Sequence, residues 1–153
     1  MEIRDLSLED NKEYWLCRIN ESDWSAGEFL CRILREGKLE ELCGKGSHVL
    51  LLTEGNELAS FCTLAVYDDI QPTLLTPWIG FVYTFPKFRG RGLAGKLISY
   101  AENIAASDGA EYVYISTTHT GLYEKFGYEF YEILKDVNGK DSRVYRKRTK
   151  NAS

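Results

Sequence analysis

The residues with the clearest chemical character lie in the stretch Phe85-Pro-Lys-Phe-Arg-Gly-Arg-Gly-Leu-Ala-Gly-Lys-Leu-Ile98, where Arg89 and Arg91 alternate with Gly90, Gly92 and Gly95. Glycines at this spacing put no side chain in the way of an approaching ligand. The first N–H groups of a helix have no intrahelical partner, and together with the positive end of the helix dipole they favour an anion. A pyrophosphate suits such a place, and Arg89, Arg91 and Lys87 add positive charge. Two other phosphate loops do not fit. A dinucleotide-binding turn needs its strand to run straight into the first glycine and an acid about 20 residues further on. Here Pro86-Lys-Phe-Arg89 intervenes, and the next apolar stretch ends in Ser116-Thr117. A Walker loop closes on Gly-Lys-Ser/Thr, and none is present.

Few other residues invite chemistry. Asp68 and Asp69 close an apolar stretch and are the nearest acidic candidates for a base, although a loop pair of aspartates usually reads as solvated. His48 and His119 are the only histidines; His119 lies close to Tyr123, within reach of a ligand, and reads first as a capping or surface residue. Cys17, Cys31, Cys43 and Cys62 are spread singly with no Cys-x-x-Cys pair, so buried reduced thiols are expected and neither a metal site nor a disulfide framework.

These residues must be positioned by regular elements. Ser7-Leu-Glu-Asp10 has the form of a capping box and predicts a helix from about Leu8 to Asn20, with Tyr14, Trp15, Leu16 and Ile19 at helical spacing. Ser25 and Glu28 predict a second helix, with Phe29, Ile33 and Leu34 on one face, a Trp24–Phe29 staple and Gly37 and Gly44 at its end. The segments "SHVLLLTE" and "ELASFCTLAVYDD" flank Gly55-Asn56 as a hairpin, and "TPWIGFVYTF" is a third strand. Leu93, Leu97, Ile98, Ala101, Ile104 and Ala105 then mark a long helix. "EYVYIST" is a strand, "TGLYEKF" a short helix closed by Gly127, and "YEFYEILKD" with "SRVYRKR" a last hairpin turning at Asn138-Gly139. The outcome is a mixed sheet with helices packed on it.

With 153 residues, 44% hydrophobic and 27% charged, the chain reads as one soluble domain spanning 1–153. The net charge of -4 hides an asymmetry: residues 1–75 hold 7 basic and 15 acidic side chains, residues 76–153 hold 12 and 8. The basic tail "RVYRKRTK" reads as a solvated terminal strand, so no nucleic-acid partner is expected. The start of the chain lacks the parts of a signal peptide and no apolar run reaches a membrane span, so no membrane partner and a cytoplasmic location are expected.

The string "YTFPKFRGRGLA" resembles the acetyl-coenzyme A signature of the GNAT superfamily of N-acetyltransferases. "GLYEKFGYEF", from Gly121 to Phe130, resembles that family's second motif, in the expected order, and the order of elements resembles the family fold over essentially the whole chain. The resemblance implies an α+β fold with a mostly antiparallel twisted sheet of about six to seven strands, helices on both faces and a splayed central strand pair. It implies acetyl-CoA as cosubstrate and transfer of the acetyl group to a primary amine of a small molecule or peptide, by a monomer or homodimer. By the same resemblance, Arg89, Gly90, Arg91, Gly92, Leu93, Ala94 and Gly95 hold the pyrophosphate, mainly through backbone N–H groups. Val82, Tyr83 and Thr84 pair with the pantetheine arm like an added strand, and their N–H groups polarise the thioester carbonyl. Tyr123 falls on the family tyrosine that protonates the departing thiolate. An asparagine common ahead of that tyrosine is replaced within "STTHTG", with Thr117 or Thr118 standing in. The first two helices wall the acceptor groove, and their acidic half of the chain favours a cationic acceptor. No base for the amine is assigned, because Trp78 to Thr84 holds no Asp, Glu or His. A non-catalytic acyl-CoA sensor of the same fold is the alternative.

Overall fold

Val49-Leu-Leu-Leu52 is apolar without alternation, the pattern of a strand covered on both faces. The computed structural model, which describes residues 1–150, places this run in β2 (His48–Glu54) and sends its side chains alternately to two cores. Leu50 and Leu52 join Leu97, Ile98 and Ala101 of one helix, whereas Val49 and Leu51 join Trp15, Ile19 and Leu30 of two others. Helices therefore cover both faces, as expected.

In chain order the elements are β1 (Glu2–Asp5), α1 (Lys12–Asn20), α2 (Ser25–Arg35), α3 (Leu39–Cys43), β2, β3 (Glu57–Ala65), β4 (Trp78–Thr84), α4 (Leu93–Ser107), β5 (Tyr112–Thr117), β6 (Glu129–Lys135) and β7 (Asp141–Arg148). The seven strands form one sheet in the order β1-β2-β3-β4-β5-β7-β6. Every neighbouring pair is antiparallel except β4 with β5. That parallel pair is in register only at Trp78 opposite Tyr114, so the two strands diverge beyond it into the expected splay.

The structure differs from the sequence reading chiefly near the N-terminus. Glu2–Asp5 is an edge strand, a role its single apolar residue, Ile3, did not announce. Ser7 does not open α1. It sits in a 3-10 turn (Leu6–Leu8) where the Asp5 carboxylate accepts hydrogen bonds from its N–H and hydroxyl, at 3.0 and 2.8 Å. The helix starts only at Lys12. Ser25 is the first residue of α2 and Trp24 its N-cap. Trp24 and Phe29 do not staple that helix end but each pack on Phe81 of β4, with ring centroids 6.4 Å away in both cases. Leu30, Cys31 and Ile33 are the side chains α2 buries.

Candidate active site

The long helix α4 begins at Gly92, an N-cap in the left-handed region at φ 70°, with Gly90 two residues earlier at φ 81°. Both conformations favour glycine over any residue with a Cβ. Gly92 has no side chain to cap the helix, so Leu93, Ala94 and Gly95 keep the partnerless N–H groups of a first turn. The flanking arginines are anchored below this opening. Arg89 donates from Nε to the Thr84 carbonyl at 2.9 Å and lies over the Tyr83 ring. Arg91 lies over Phe88 and 3.9 Å from Glu54. Gly95 has a further reason to be small: a Cβ there would stand 2.9 Å from Cε1 of Phe126.

β4 approaches this helix start through an irregularity. Its ladder with β3 shifts between Phe61 and Thr63, where two residues of β4, Phe81 and Val82, stand opposite one. Phe81 takes φ 50°, the one positive φ outside glycine among the described residues. Such a bulge re-aims local backbone groups and is frequent beside active sites. Thr84 is fixed by Ser60, whose hydroxyl donates to the Tyr83 carbonyl at 2.7 Å and lies 3.0 Å from the Thr84 hydroxyl.

Where β4 and β5 part, a cavity of about 790 Å³ opens. Val82, Tyr83, Thr117 and Tyr123 line it, together with Asp68, Phe29, Trp24 and Asp136 from other segments. The structure thus brings Tyr123 and Thr117 onto the opening beside β4, while Arg89 to Gly95 lie at the start of α4. Tyr123 is not inside a helix: it is the N-cap of a 3-10 turn (Glu124–Phe126) that ends at Gly127, φ 93°. Its carbonyl accepts from the N–H groups of Phe126 and Tyr128 at 3.0 and 3.3 Å, which fixes the backbone under a 9% exposed side chain. Burial, then the neighbouring Cys62 and Asp68, pushes the Tyr123 phenol up to about 12, so it stays protonated at neutral pH. Thr117 accepts at its hydroxyl from the His119 N–H at 3.1 Å.

Asp68 and Asp69 are not the solvated pair their loop position suggested. Asp68 packs against the β4 backbone, where a Cβ on Gly80 would stand 2.3 Å from its Oδ1. Burial first, and then the Asp69 carboxylate beside it, raises the Asp68 carboxyl to about 7. The pair is held from outside the loop as well. Val137 donates its N–H to the Asp69 carbonyl at 2.7 Å and Ile70 bridges to Asp136, while within the loop Gln71 donates to the Asp68 carbonyl at 2.8 Å. The sequence signal for this burial was Gly80 itself, since a glycine inside an aromatic strand marks a close approach. The β4 bulge left no such local trace.

Chemically, the cavity offers a proton donor, a carboxyl poised near neutrality and an irregular backbone between them. No group of His, Cys, Asp and Glu among the described residues could hold a metal ion, and no helix among them is long and apolar enough to cross a membrane.

Comparison with known proteins agrees with this architecture. A putative GNAT-family acetyltransferase from Desulfovibrio desulfuricans superposes with a TM-score of 0.67 at 17% identity, covering 96% of this chain and 98% of the other. The aminoglycoside 6'-N-acetyltransferase from Enterococcus faecium gives 0.69 at 16% identity, covering 97% of each chain. An aminoglycoside 6'-N-acetyltransferase complexed with coenzyme A gives 0.67 at 16% identity, again covering 97% of each. No curated protein sequence matches the chain significantly. The family model for the GNAT acetyltransferases matches residues 8–128, which include the helix-start glycines, β4, the Asp68 loop and Tyr123. The chain belongs to the GNAT family of acetyltransferases.

Proposed function

We propose that the protein is an N-acetyltransferase that moves the acetyl group of acetyl-CoA directly to a primary amine. The observation that carries this reading is the divergence of β4 from β5, which opens one cavity onto Tyr123, Asp68 and the bulge at Phe81. The coenzyme diphosphate rests on the N–H groups of Gly92 to Gly95, with Arg89, Gly90 and Arg91 around it. The pantetheine arm follows Val82, Tyr83 and Thr84 and uses β4 main-chain groups that β5 leaves free by splaying, while Thr117 contacts it from β5. The bulge presents main-chain N–H to the thioester oxygen as charge gathers there.

An ammonium of pKa about 10.4 is no nucleophile at neutral pH. Asp68, with its pKa near 7, is a far better base than an ordinary carboxylate and takes that proton. The nitrogen then attacks the carbonyl carbon, the C–N bond forms, and the C–S bond breaks as its electron pair goes to sulfur. The second proton on nitrogen leaves to solvent. Tyr123 donates a hydrogen bond to the sulfur, and its proton follows as the thiol forms. Full transfer from a phenol near 12 to a free thiolate of pKa about 8.5 is uphill, so the hydrogen bond in the transition state is the main contribution. The phenolate regains its proton from solvent, and Asp68 releases to solvent the proton it took from the ammonium.

Calorimetry with acetyl-CoA followed by thiol release with a panel of amines tests the reading. Binding plus release is expected. Binding with no release from any amine would make the protein an acyl-CoA sensor, and no binding at all would end both readings.

A further inference from the structure

We infer that the acceptor is a primary monoamine carried on a flat apolar body, an aromatic ring joined to nitrogen by a short alkyl chain. This rests on the acetyl-transfer reading and names the guest of the same cleft. The wall of the cavity facing the acceptor is apolar where it meets water. Phe29, Leu42 and Val137 are 41%, 40% and 58% exposed, and all three line the cavity. Exposed apolar side chains that converge on a concave surface mark a ligand site more strongly than the same residues scattered. The rings there are already arranged in layers: Phe29 stacks on Phe81 at 20° and Trp24 on Tyr83 at 12°. A flat ring extends such layers, with offset stacking contributing beyond the area it buries.

Charge narrows the guest further. Among the described residues the cavity lining includes three aspartates and neither lysine nor arginine. Asp136 is committed to its own turn, accepting at Oδ1 from the N–H groups of Asn138 and Lys140 at 2.8 and 2.9 Å. That leaves the Asp68–Asp69 pair as the counter-charge for one ammonium. The Asp68 and Asp69 carboxyls hydrogen-bond each other, so the two act as one acidic site. A free amino acid would bring its carboxylate against these acids with neither lysine nor arginine in the lining to receive it. An aminosugar would bring further ammonium groups without counter-charge, and hydroxyls to be desolvated against Phe29 and Leu42. Two of the hydroxyls lining the cavity, Ser116 and Ser142, already bond each other at 2.7 Å.

The test measures thiol release from acetyl-CoA with 2-phenylethylamine, L-phenylalanine, L-phenylalanine amide and kanamycin. The expected kcat/KM for 2-phenylethylamine exceeds those for phenylalanine and kanamycin by at least about tenfold. The amide, which lacks the carboxylate, is acetylated at least about tenfold faster than the acid. Phe29→Ala, a change at a partly exposed site, raises KM for 2-phenylethylamine about tenfold and leaves the calorimetric affinity for acetyl-CoA unchanged. Turnover of kanamycin or phenylalanine equal to that of 2-phenylethylamine overturns this inference and leaves acetyl transfer standing. Coenzyme binding without thiol release from any of the four overturns this inference, and release with another amine of the broader panel leaves acetyl transfer standing.

Discussion

The start of α4 is built from main chain, with Gly90 and Gly92 at φ 81° and 70° and the uncapped first turn of the helix. The cavity between β4 and β5 is lined by side chains, and Phe29, Asp68 and Val137 come from three segments far apart in sequence. The difference separates two kinds of recognition. In the proposed function a backbone cradle answers to any diphosphate of the right shape and depends on what its residues lack. A side-chain wall answers to one guest and depends on what its residues carry.

Substitutions that remove a functional group on one side and a conformation on the other put this contrast to work. The largest effect is expected from Asp68→Asn. It should lower kcat/KM for the amine by about 10²–10⁴, abolish the fall in activity as pH drops through about 7, and leave coenzyme affinity unchanged. Steady-state kinetics across pH reads all three, and an unaltered profile removes Asp68 as the base. Tyr123→Phe should lower kcat by about 10–100-fold, again with coenzyme affinity intact, because it removes a hydrogen bond that counts mainly in the transition state. Equal turnover would end its role. Gly92→Val acts on the other side. A β-branched residue at φ 70° carries strain of about 1–3 kcal/mol, so calorimetry should show acetyl-CoA binding weakened by at least about tenfold. Unchanged affinity in a folded variant would dissolve the backbone cradle.

The smallest effect is on stability, and its sign follows from burial. The folded-state pKa of Asp68, about 7, lies above an unfolded value near 3.9. The stability tied to its proton is therefore complete below about pH 4 and lost as pH rises through 7. Asp68→Asn escapes that loss. It should be more stable than the parent by about 1–3 kcal/mol at pH 8, with the advantage gone below about pH 4. Denaturant melts at the two pH values measure it, and a variant less stable at pH 8 would mean that the carboxylate makes contacts worth more than its burial costs.

The same contrast explains what could be read from the sequence. Gly90, Gly92 and the hydrophobic run of α4 are neighbours in the chain, so local rules for helix starts and periodicity located them. The Gly55-Asn56 hairpin and the Gly127 stop were legible for the same reason. Asp68 was visible as a residue and misjudged as an environment. Its burial depends on a strand that begins ten residues later and on the tip of the last hairpin, and no local pattern encodes either. β1 escaped because an edge strand of four residues with one apolar side chain has almost no periodicity to detect. Gly95 was assigned to the diphosphate from its motif, yet Phe126, 31 positions along, gives it a packing reason to lack a side chain.

The hydrogen bond from Val137 to the carbonyl of Asp69 has a bearing on how such a cleft changes over time. The hairpin that closes the chain also steadies the carboxyl pair, so lengthening its tip to admit a bulkier guest slackens the same tether. Water then reaches Asp68 and returns its acidity toward that of an ordinary aspartate. The length of the hairpin tip and the acidity of Asp68 are thus coupled through one main-chain hydrogen bond.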